Sequence, residues 1–350
     1  MLRVIDVVQN SEVDYSVTIE NNLLNNVGSK TRKLTAAARA AVICDSNVAP
    51  LYLERVAASF KSAGFETYTF VFPAGEINKT FDTVNLMLEF LCKNRFTRDD
   101  IAVALGGGVC GDLVGFASAI YLRGIDFVQI PTSLLAQIDS SIGGKTGCDL
   151  PFGKNLCGAF HNPLAVFTDP DVLKTLPQKF LNDGMSEAIK TGAVLCPGLF
   201  ENLEIEPLPL YEVISKCAET KALVVGNDFK EHGKRILLNF GHTIGHAIEK
   251  YENFNGLSHG EAVSVGMVMI TAASEKAGLT AQGTTEKLKL FLEKFRLPTK
   301  TDIPLEKLCE ICANDKKSRG NSINLVLLSS IGHGFVKSVK WDELYNFLKC

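Results

Sequence analysis

The sequence predicts an α/β amino-terminal half built on a mostly parallel sheet, followed by an all-helical carboxyl-terminal half. Three observations carry that prediction. Short apolar runs alternate with helical patterns as far as Pro170, which is the rhythm of strands joined by crossover helices. Beyond Pro170 the strand signal fades and helical periodicity fills the chain, apart from a strand-like pair, SINLVLL and GFVKSV, near the end. A chain of 350 residues is also long for one core, so two domains are expected. The boundary is placed near Pro177, giving domains 1–177 and 178–350.

Taken in order, Arg3 to Val8 and Tyr15 to Ile19 alternate as strands do. AVICD, a helix to about Ala63, ETYTFVF, a helix from Thr80 to Lys93 and IAVAL follow, with FVQI and AVFT later. Ligands on parallel sheets bind beyond the carboxyl ends of the strands. Those ends carry Asp45 and Asn47, the Gly75-Glu76 turn with Lys79, and Gly106-Gly107-Gly108.

Composition excludes several classes. A net charge of −3 with 46% hydrophobic residues leaves no electrostatic footprint for nucleic acid or an anionic membrane. MLRVIDVVQNSEVDY lacks the apolar core of a signal peptide, and no apolar run reaches spanning length. The ten cysteines are scattered, mostly among apolar residues, which fits reduced core thiols and a cytosolic protein. Cys309 and Cys312 form a single Cys-x-x-Cys that helical spacing in a core explains without zinc.

GGGVCGDLVG follows a strand and opens a helix, so bare amides and the helix dipole suit a diphosphate. It comes too late for the first βα turn of a dinucleotide fold, which points to a nucleotide site of a non-standard kind. Asp126 has the spacing of a ribose-binding acid, but RGIDF reads as a loop entering a strand. SSIGGKTGCDLPFGKN contains Gly-Lys-Thr, yet the glycine a P-loop requires falls on Asp139. A glycine-rich, flexible loop with Lys145, Lys154 and Asn155 is expected there, able to wrap a phosphorylated substrate.

RILLNFGHTIGHAIEKYENFNGLSHGE concentrates three of the six histidines. Ile236, Leu237, Phe240, Ile244 and Ile248 predict a helix with His242 and His246 on one face. Ser258 and Glu261 read as a capping box that opens a second helix and puts His259 in its first turn. Histidines converging from two helices suit a transition metal, against the plainer reading of hydrogen-bonded core imidazoles. In GMSEAIKTG, Glu187 and Lys190 are three apart, as in a surface ion pair. A carboxylate with two imidazoles is also a zinc set that leaves a coordination position open, so Glu187 is a candidate third ligand. Lys221, Glu231 and Arg235 upstream of the histidines suggest an anionic substrate.

GGGVCGDLVGF, YLRG, IPTSLLAQIDSSIGGKTG, PFGKN, GMSEAIKTG, NFGHTIGHAIE and HGEAVSVGM occur in order, and over nearly its whole length the chain resembles the 3-dehydroquinate synthase family. The resemblance implies an NAD-binding amino-terminal domain and a helical metal-binding domain, in a homodimer. It puts zinc or cobalt on Glu187, His242 and His259, which makes His246 a proton-transfer residue and corrects the three-histidine picture. Substrate contacts are implied at Asp139, Lys145, Asn155, Lys190, Lys221, Glu231, Arg235, Asn239 and His246. Arg123 matches a phosphate contact supplied by the partner subunit, and Lys316 of NDKK is a further implied contact. NAD positions fall on Asp45, Asn47, Glu76, Lys79, Gly107, Gly108, Asp112, Thr132, Ser133 and Lys154. Thr132-Ser133 departs from the family's usual Thr-Thr but keeps a hydroxyl, and Cys110 replaces a frequent isoleucine.

The implied substrate is 3-deoxy-D-arabino-heptulosonate 7-phosphate. The implied route is transient oxidation by NAD, phosphate elimination, re-reduction and an intramolecular aldol closure, so the nicotinamide ends unchanged. Three competing readings are a related sugar-phosphate cyclase, a metal-dependent NAD alcohol dehydrogenase and a non-catalytic homologue. The first should lack part of the set Lys145, Lys221 and Arg235, which is intact here. The second has no need of a phosphate cradle, and the third predicts losses among ligands or acid–base groups.

Overall fold

The structure, a computed structural model, describes residues 1–314 and 321–349. It divides into two compact units, Met1–Leu176 with Lys221–Gly226, and Pro177–Thr220 with Asn227–Cys350.

The first unit contains, in order, β1 (Leu2–Gln9), β2 (Glu12–Glu20), α1 (Val27–Arg32), β3 (Arg39–Asp45), α2 (Glu54–Ser62), β4 (Glu66–Phe72), α3 (Phe81–Lys93) and β5 (Ile101–Gly106). There follow α4 (Gly108–Ile120), β6 (Asp126–Pro131), β7 (Lys145–Leu150), β8 (Gly153–Phe160) and β9 (Ala165–Thr168). Seven strands form one sheet in the order β1-β2-β9-β6-β5-β3-β4. Only β1 with β2 runs antiparallel. β5 is buried at every position, as a central parallel strand covered on both faces must be. α3 starts at Thr80, whose side chain accepts the Thr83 N–H. Phe72, Met87, Leu91, Leu113, Val114 and Phe127 are among the residues of its core.

From β3 the sheet continues outward to β4, whereas from β5 it continues the opposite way to β6. The carboxyl ends of β3 and β5 are therefore a topological switch point, the place where such sheets open to a ligand. Asp45 ends β3, and Gly107 and Gly108 follow β5.

The segment read as a flexible glycine-rich loop is instead the antiparallel hairpin β7–β8. A side chain at Gly158 would collide with the Thr146 carbonyl on the opposite strand. The glycines that looked like loop punctuation are what let the two backbones close.

The second unit contains α5 (Gln178–Val194), α6 (Pro197–Glu204), α7 (Leu210–Asn227, of which Lys221–Gly226 counts with the first unit), α8 (His242–Tyr251), α9 (His259–Lys276), α10 (Thr284–Lys294) and α11 (Leu305–Asn314). It ends with β10 (Ser322–Ser330), β11 (His333–Lys340) and α12 (Trp341–Leu348). It is thus not wholly helical, because β10 and β11 pair as the hairpin anticipated from SINLVLL and GFVKSV. The helix expected from Ile236 begins only at His242. Lys234–Asn239 is a separate 3-10 turn, and Gly241, at φ 78°, breaks the run. Apolar spacing carries through that break, which is why periodicity alone overran it. No helix among the described residues is long and apolar enough to cross a membrane.

Candidate functional site

Glu187 lies in the stretch of α5 that is buried without interruption from Asp183 to Val194. A carboxylate there requires compensation. Lys190, one helical turn on, forms an ion pair with it, and both side chains are almost fully buried. The pair that spacing assigned to the surface is therefore internal.

His242 opens α8, and its Nδ1 lies 3.2 Å from the Phe240 carbonyl. That carbonyl accepts the Nδ1 proton and leaves Nε2 as the lone-pair nitrogen. His259 opens α9 behind the expected capping box, in which the Ser258 N–H donates to Glu261 at 2.8 Å. Close helix packing brings the two rings to Glu187. A Cβ on Gly260 would come within 2.6 Å of the Asp183 Cα, so α9 starts against the backbone of α5. A Cβ on Gly266 would collide with the Gly241 carbonyl, so α8 starts against α9.

Nε2 of His242 lies 3.8 Å, and Nε2 of His259 3.7 Å, from Oε1 of Glu187. The ligand atoms of the three residues lie within 4.8 Å of one another. A tetrahedral ion with ligands at about 2.1 Å holds them roughly 3.4 Å apart, so the set fits a zinc-like cation with little adjustment. Electrostatics agree for His242: burial pushes it well below the ordinary histidine value, and Lys190, His259 and His246 add to that. His242 is therefore a neutral donor. Burial also lowers His259, but its hydrogen bond to Glu249 and the charge of Glu187 outweigh this and leave it raised.

His246 stands one turn along α8 and is exposed. Its ring lies 5.4 Å from that of His242 and 6.0 Å from that of His259. It falls outside the Glu187 set and instead groups with Glu249 and His259. Nearby in sequence, Arg235 is only 2% exposed, and its Nη1 donates to the Phe229 carbonyl at 2.6 Å. The Asn239 amide donates to Glu231 at 2.8 Å. The Asp228 carboxylate organises this turn by accepting the N–H groups of His232, Gly233 and Arg235. Burial would raise Asp228, yet those three bonds hold it below the usual carboxylate range.

In the first unit, the Asp45 carboxylate accepts the N–H groups of Asn47 and Val48 and turns the chain as it leaves β3. A Cβ on Gly107 would press on the Ser133 hydroxyl at 3.3 Å, and one on Gly108 on Ser140 at 3.1 Å. The Thr132 N–H donates to the Gly106 carbonyl at 2.9 Å, which ties the two strand ends together. Lys79 is buried, with Nζ 2.6 Å from both Asp112 and Asn155. Burial lowers Lys79, but Asp112 and Glu76 overcome it and leave the ammonium raised. Burial, with the charges of Glu76 and Asp149 added, leaves Asp112 raised against the pull of Lys79. Lys154 reaches Glu76 at 3.7 Å. Asn155, implied as a substrate contact, thus sits on an implied cofactor residue.

Asp139 lies on a π-helical turn, Ala136–Ser140, and is ion-paired with Lys221. Lys145 begins β7 and is exposed. Arg123, at φ 72°, is exposed in the turn after α4. Lys316 lies outside the described residues.

Sequence reasoning passed over Glu249, Asp183, Asp228 and Asp149. Asp149 accepts the Asn155 N–H at 2.7 Å. Glu249 follows His242 by seven residues, a spacing that returns to the same helix face and was the available signal.

Comparison with known proteins gives a consistent picture. Residues 69–183 match the family model for the 3-dehydroquinate synthase N-terminal region, and residues 184–318 match that for the C-terminal region. The chain is 48% identical over 342 residues to a 3-dehydroquinate synthase of Clostridium acetobutylicum, covering 96% of each. It is 44% identical over 344 residues to one of Streptococcus suis, covering 96% of this chain and 97% of that one. Among solved structures, 2-epi-5-epi-valiolone synthase from Streptomyces hygroscopicus, with NAD+ and Zn2+ bound, superposes at a TM-score of 0.87, 28% identity and 96% coverage of each chain. A 2-deoxy-scyllo-inosose synthase complexed with carbaglucose-6-phosphate, NAD+ and Co2+ gives 0.85 and 26%, covering 100% of this chain and 99% of that one. A glycerol dehydrogenase from Schizosaccharomyces pombe, at 17% identity and 0.67, covers 95% of this chain and 87% of that one and shares the fold alone.

Proposed function

The chain belongs to the 3-dehydroquinate synthase family, and from that premise we propose how its residues divide the work. Its reaction is that of the family: 3-deoxy-D-arabino-heptulosonate 7-phosphate is converted to 3-dehydroquinate and phosphate. The observation that carries the assignment to these residues is the convergence of Glu187, His242 and His259 on one ion-sized position.

Glu187, His242 and His259 hold one divalent ion, zinc or cobalt. When bound, that ion supplies Lewis acidity toward a substrate hydroxyl. Gly107 and Gly108 at the start of α4 receive the NAD diphosphate, with Asp45, Asn47, Thr132 and Ser133 around the switch point. Glu76, Lys79, Asp112 and Lys154 complete that cradle, and the dinucleotide supplies a reversible hydride acceptor. Lys145, Lys190, Lys221 and Arg235 fix the substrate's anionic groups, and Asp139 holds Lys221 in place for the task. Glu231 and Asn239 orient one another beside Arg235, and Asn155 completes the contacts. His246, the exposed imidazole of the group, moves protons at its ring nitrogens, since an imidazole has one nitrogen that can accept a proton and another that can give one up.

We further propose a homodimer in which Arg123 reaches the partner's substrate. Its exposed position in a left-handed turn supports this reading. A cytoplasmic location is proposed from the nine described cysteines, all of which are free thiols.

A related sugar-phosphate cyclase activity is the second reading, favoured by the likeness to 2-deoxy-scyllo-inosose synthase. One assay separates the possibilities. Purified protein with substoichiometric NAD, cobalt or zinc and the heptulosonate phosphate should release phosphate over many turnovers without accumulating NADH. Turnover only of a sugar phosphate lacking the carboxylate would support the second reading. Net NADH formation from a simple polyol would make the chain an alcohol dehydrogenase.

A further inference from the structure

Glu249 is a buried carboxylate on α8, 3% exposed, and the reaction as described gives it no task. Its Oε2 lies 3.4 Å from Nδ1 of His259. The other ring nitrogen of His259, Nε2, lies 3.7 Å from Glu187. One imidazole therefore spans two carboxylates, one at each nitrogen, and only the Glu187 side belongs to the proposed ligand set.

His242 solves the same problem differently. Its Nδ1 faces the Phe240 carbonyl, a fixed acceptor supplied by the turn just before α8. His259 begins α9, and the carboxylate facing its Nδ1 comes from a neighbouring helix.

We propose that Glu249 is a positioning residue for the metal centre. It accepts the Nδ1 proton of His259, fixes the tautomer that presents Nε2 as a lone pair, and holds the ring plane toward Glu187. Ligating histidines commonly need such an outer acceptor, and a carboxylate also makes the ligand nitrogen more basic. Three helices then cooperate in one device: α5 supplies the ligand carboxylate, α9 the imidazole and α8 the group that aims it. The inference rests on the assignment of Glu187, His242 and His259 as ligands.

The test uses the full-length chain, stripped of metal and reloaded with cobalt, with Glu249→Gln and Glu249→Ala compared with the exposed control Lys250→Ala. Affinity is read by competition with a chromophoric chelator, geometry by the cobalt visible spectrum, stoichiometry by metal analysis and folding by thermal unfolding without metal. Wild type and Lys250→Ala should each bind one ion with the same spectrum. Glu249→Ala should bind about 10–100-fold more weakly with a shifted spectrum. Glu249→Gln, whose amide oxygen still accepts the Nδ1 proton, should recover part of that affinity and keeps the test valid if the alanine variant folds poorly. Unchanged affinity and spectrum in both variants would overturn the role of Glu249 alone. Two ions in wild type, with one lost on Glu249 substitution, would make Glu249 a ligand of a second ion and also overturn it. No stoichiometric ion in wild type would overturn the ligand assignment and this inference together.

Discussion

Nε2 of His242 lies 3.8 Å from Oε1 of Glu187, although one residue opens α8 and the other is buried within α5. Neither helix has that pairing written into its own periodicity. It depends on where the helices cross, and the consequences can be measured.

Removing a ligand should remove the ion. His259→Ala is expected to lose stoichiometric zinc or cobalt, and turnover should fall by ~10²-fold or more, beyond what loss of an outer-shell group costs. Metal analysis after gel filtration, paired with the phosphate-release assay, checks this. A metal-free variant with full activity would remove the assignment.

The helix crossing itself is testable at Gly266. Alanine there meets the Gly241 carbonyl, so α8 must shift away from α9. Overpacking of this kind costs about 1–3 kcal/mol. Gly266→Ala should lower the denaturant midpoint and weaken metal binding together, because His242 rides on the helix that moves. Weakened stability with unchanged metal affinity would show that the crossing does not set the site.

Lys79 and Asp112 form an ion pair 2.6 Å apart with little solvent access. Removing one partner strands the other, which typically costs about 3–5 kcal/mol. Lys79→Met is expected to lose stability on that scale and to bind NAD weakly, while Lys79→Met with Asp112→Asn should recover part of the stability but not the binding. Urea unfolding and NAD titration separate the two effects.

The turn carrying Arg235 should be sensitive to acid. Asp228 is held below its ordinary value in the folded chain, so the unfolded chain takes up its proton first as pH falls. Its contribution is complete above the unfolded value of about 3.9 and is lost as pH drops through the lower folded value. Asp228→Asn should therefore flatten the acid limb of stability against pH while changing the curve near neutrality only by a constant offset. An unaltered acid limb would mean that the three backbone hydrogen bonds do not couple to folding.

Arg123 offers a test of the dimer. Arg123→Ala should raise KM for the sugar phosphate and leave NAD binding intact. Mixed with inactive His259→Ala under conditions of subunit exchange, it should regain about a quarter of wild-type activity, since each heterodimer forms one intact site. No recovery would place Arg123 outside the partner's site.

How much was legible in the sequence follows from the physics of each element. Central strands such as Ile101–Gly106 are continuous apolar runs buried on both faces, so IAVAL declared itself. The capping box at Ser258 and Glu261 is local chemistry and was read correctly. The β7–β8 hairpin was not, because a glycine that permits close backbone approach looks the same as one that marks a loop. The onset of α8 was overrun because Ile236, Leu237 and Phe240 keep helical spacing across a break imposed by Gly241. Glu249 escaped notice since an acid in a helix ordinarily faces solvent, and only the position of α9 gives it a partner. Likewise the burial of the Glu187–Lys190 pair belongs to helix packing rather than to spacing.

The most direct measurement is a crystal structure of the zinc-loaded protein, with anomalous differences collected on either side of the zinc absorption edge. One peak is expected, within about 2.0–2.2 Å of a Glu187 carboxylate oxygen and Nε2 of both His242 and His259. A peak bound instead by His246 and Glu249, or none in this region at full zinc occupancy elsewhere, would contradict it.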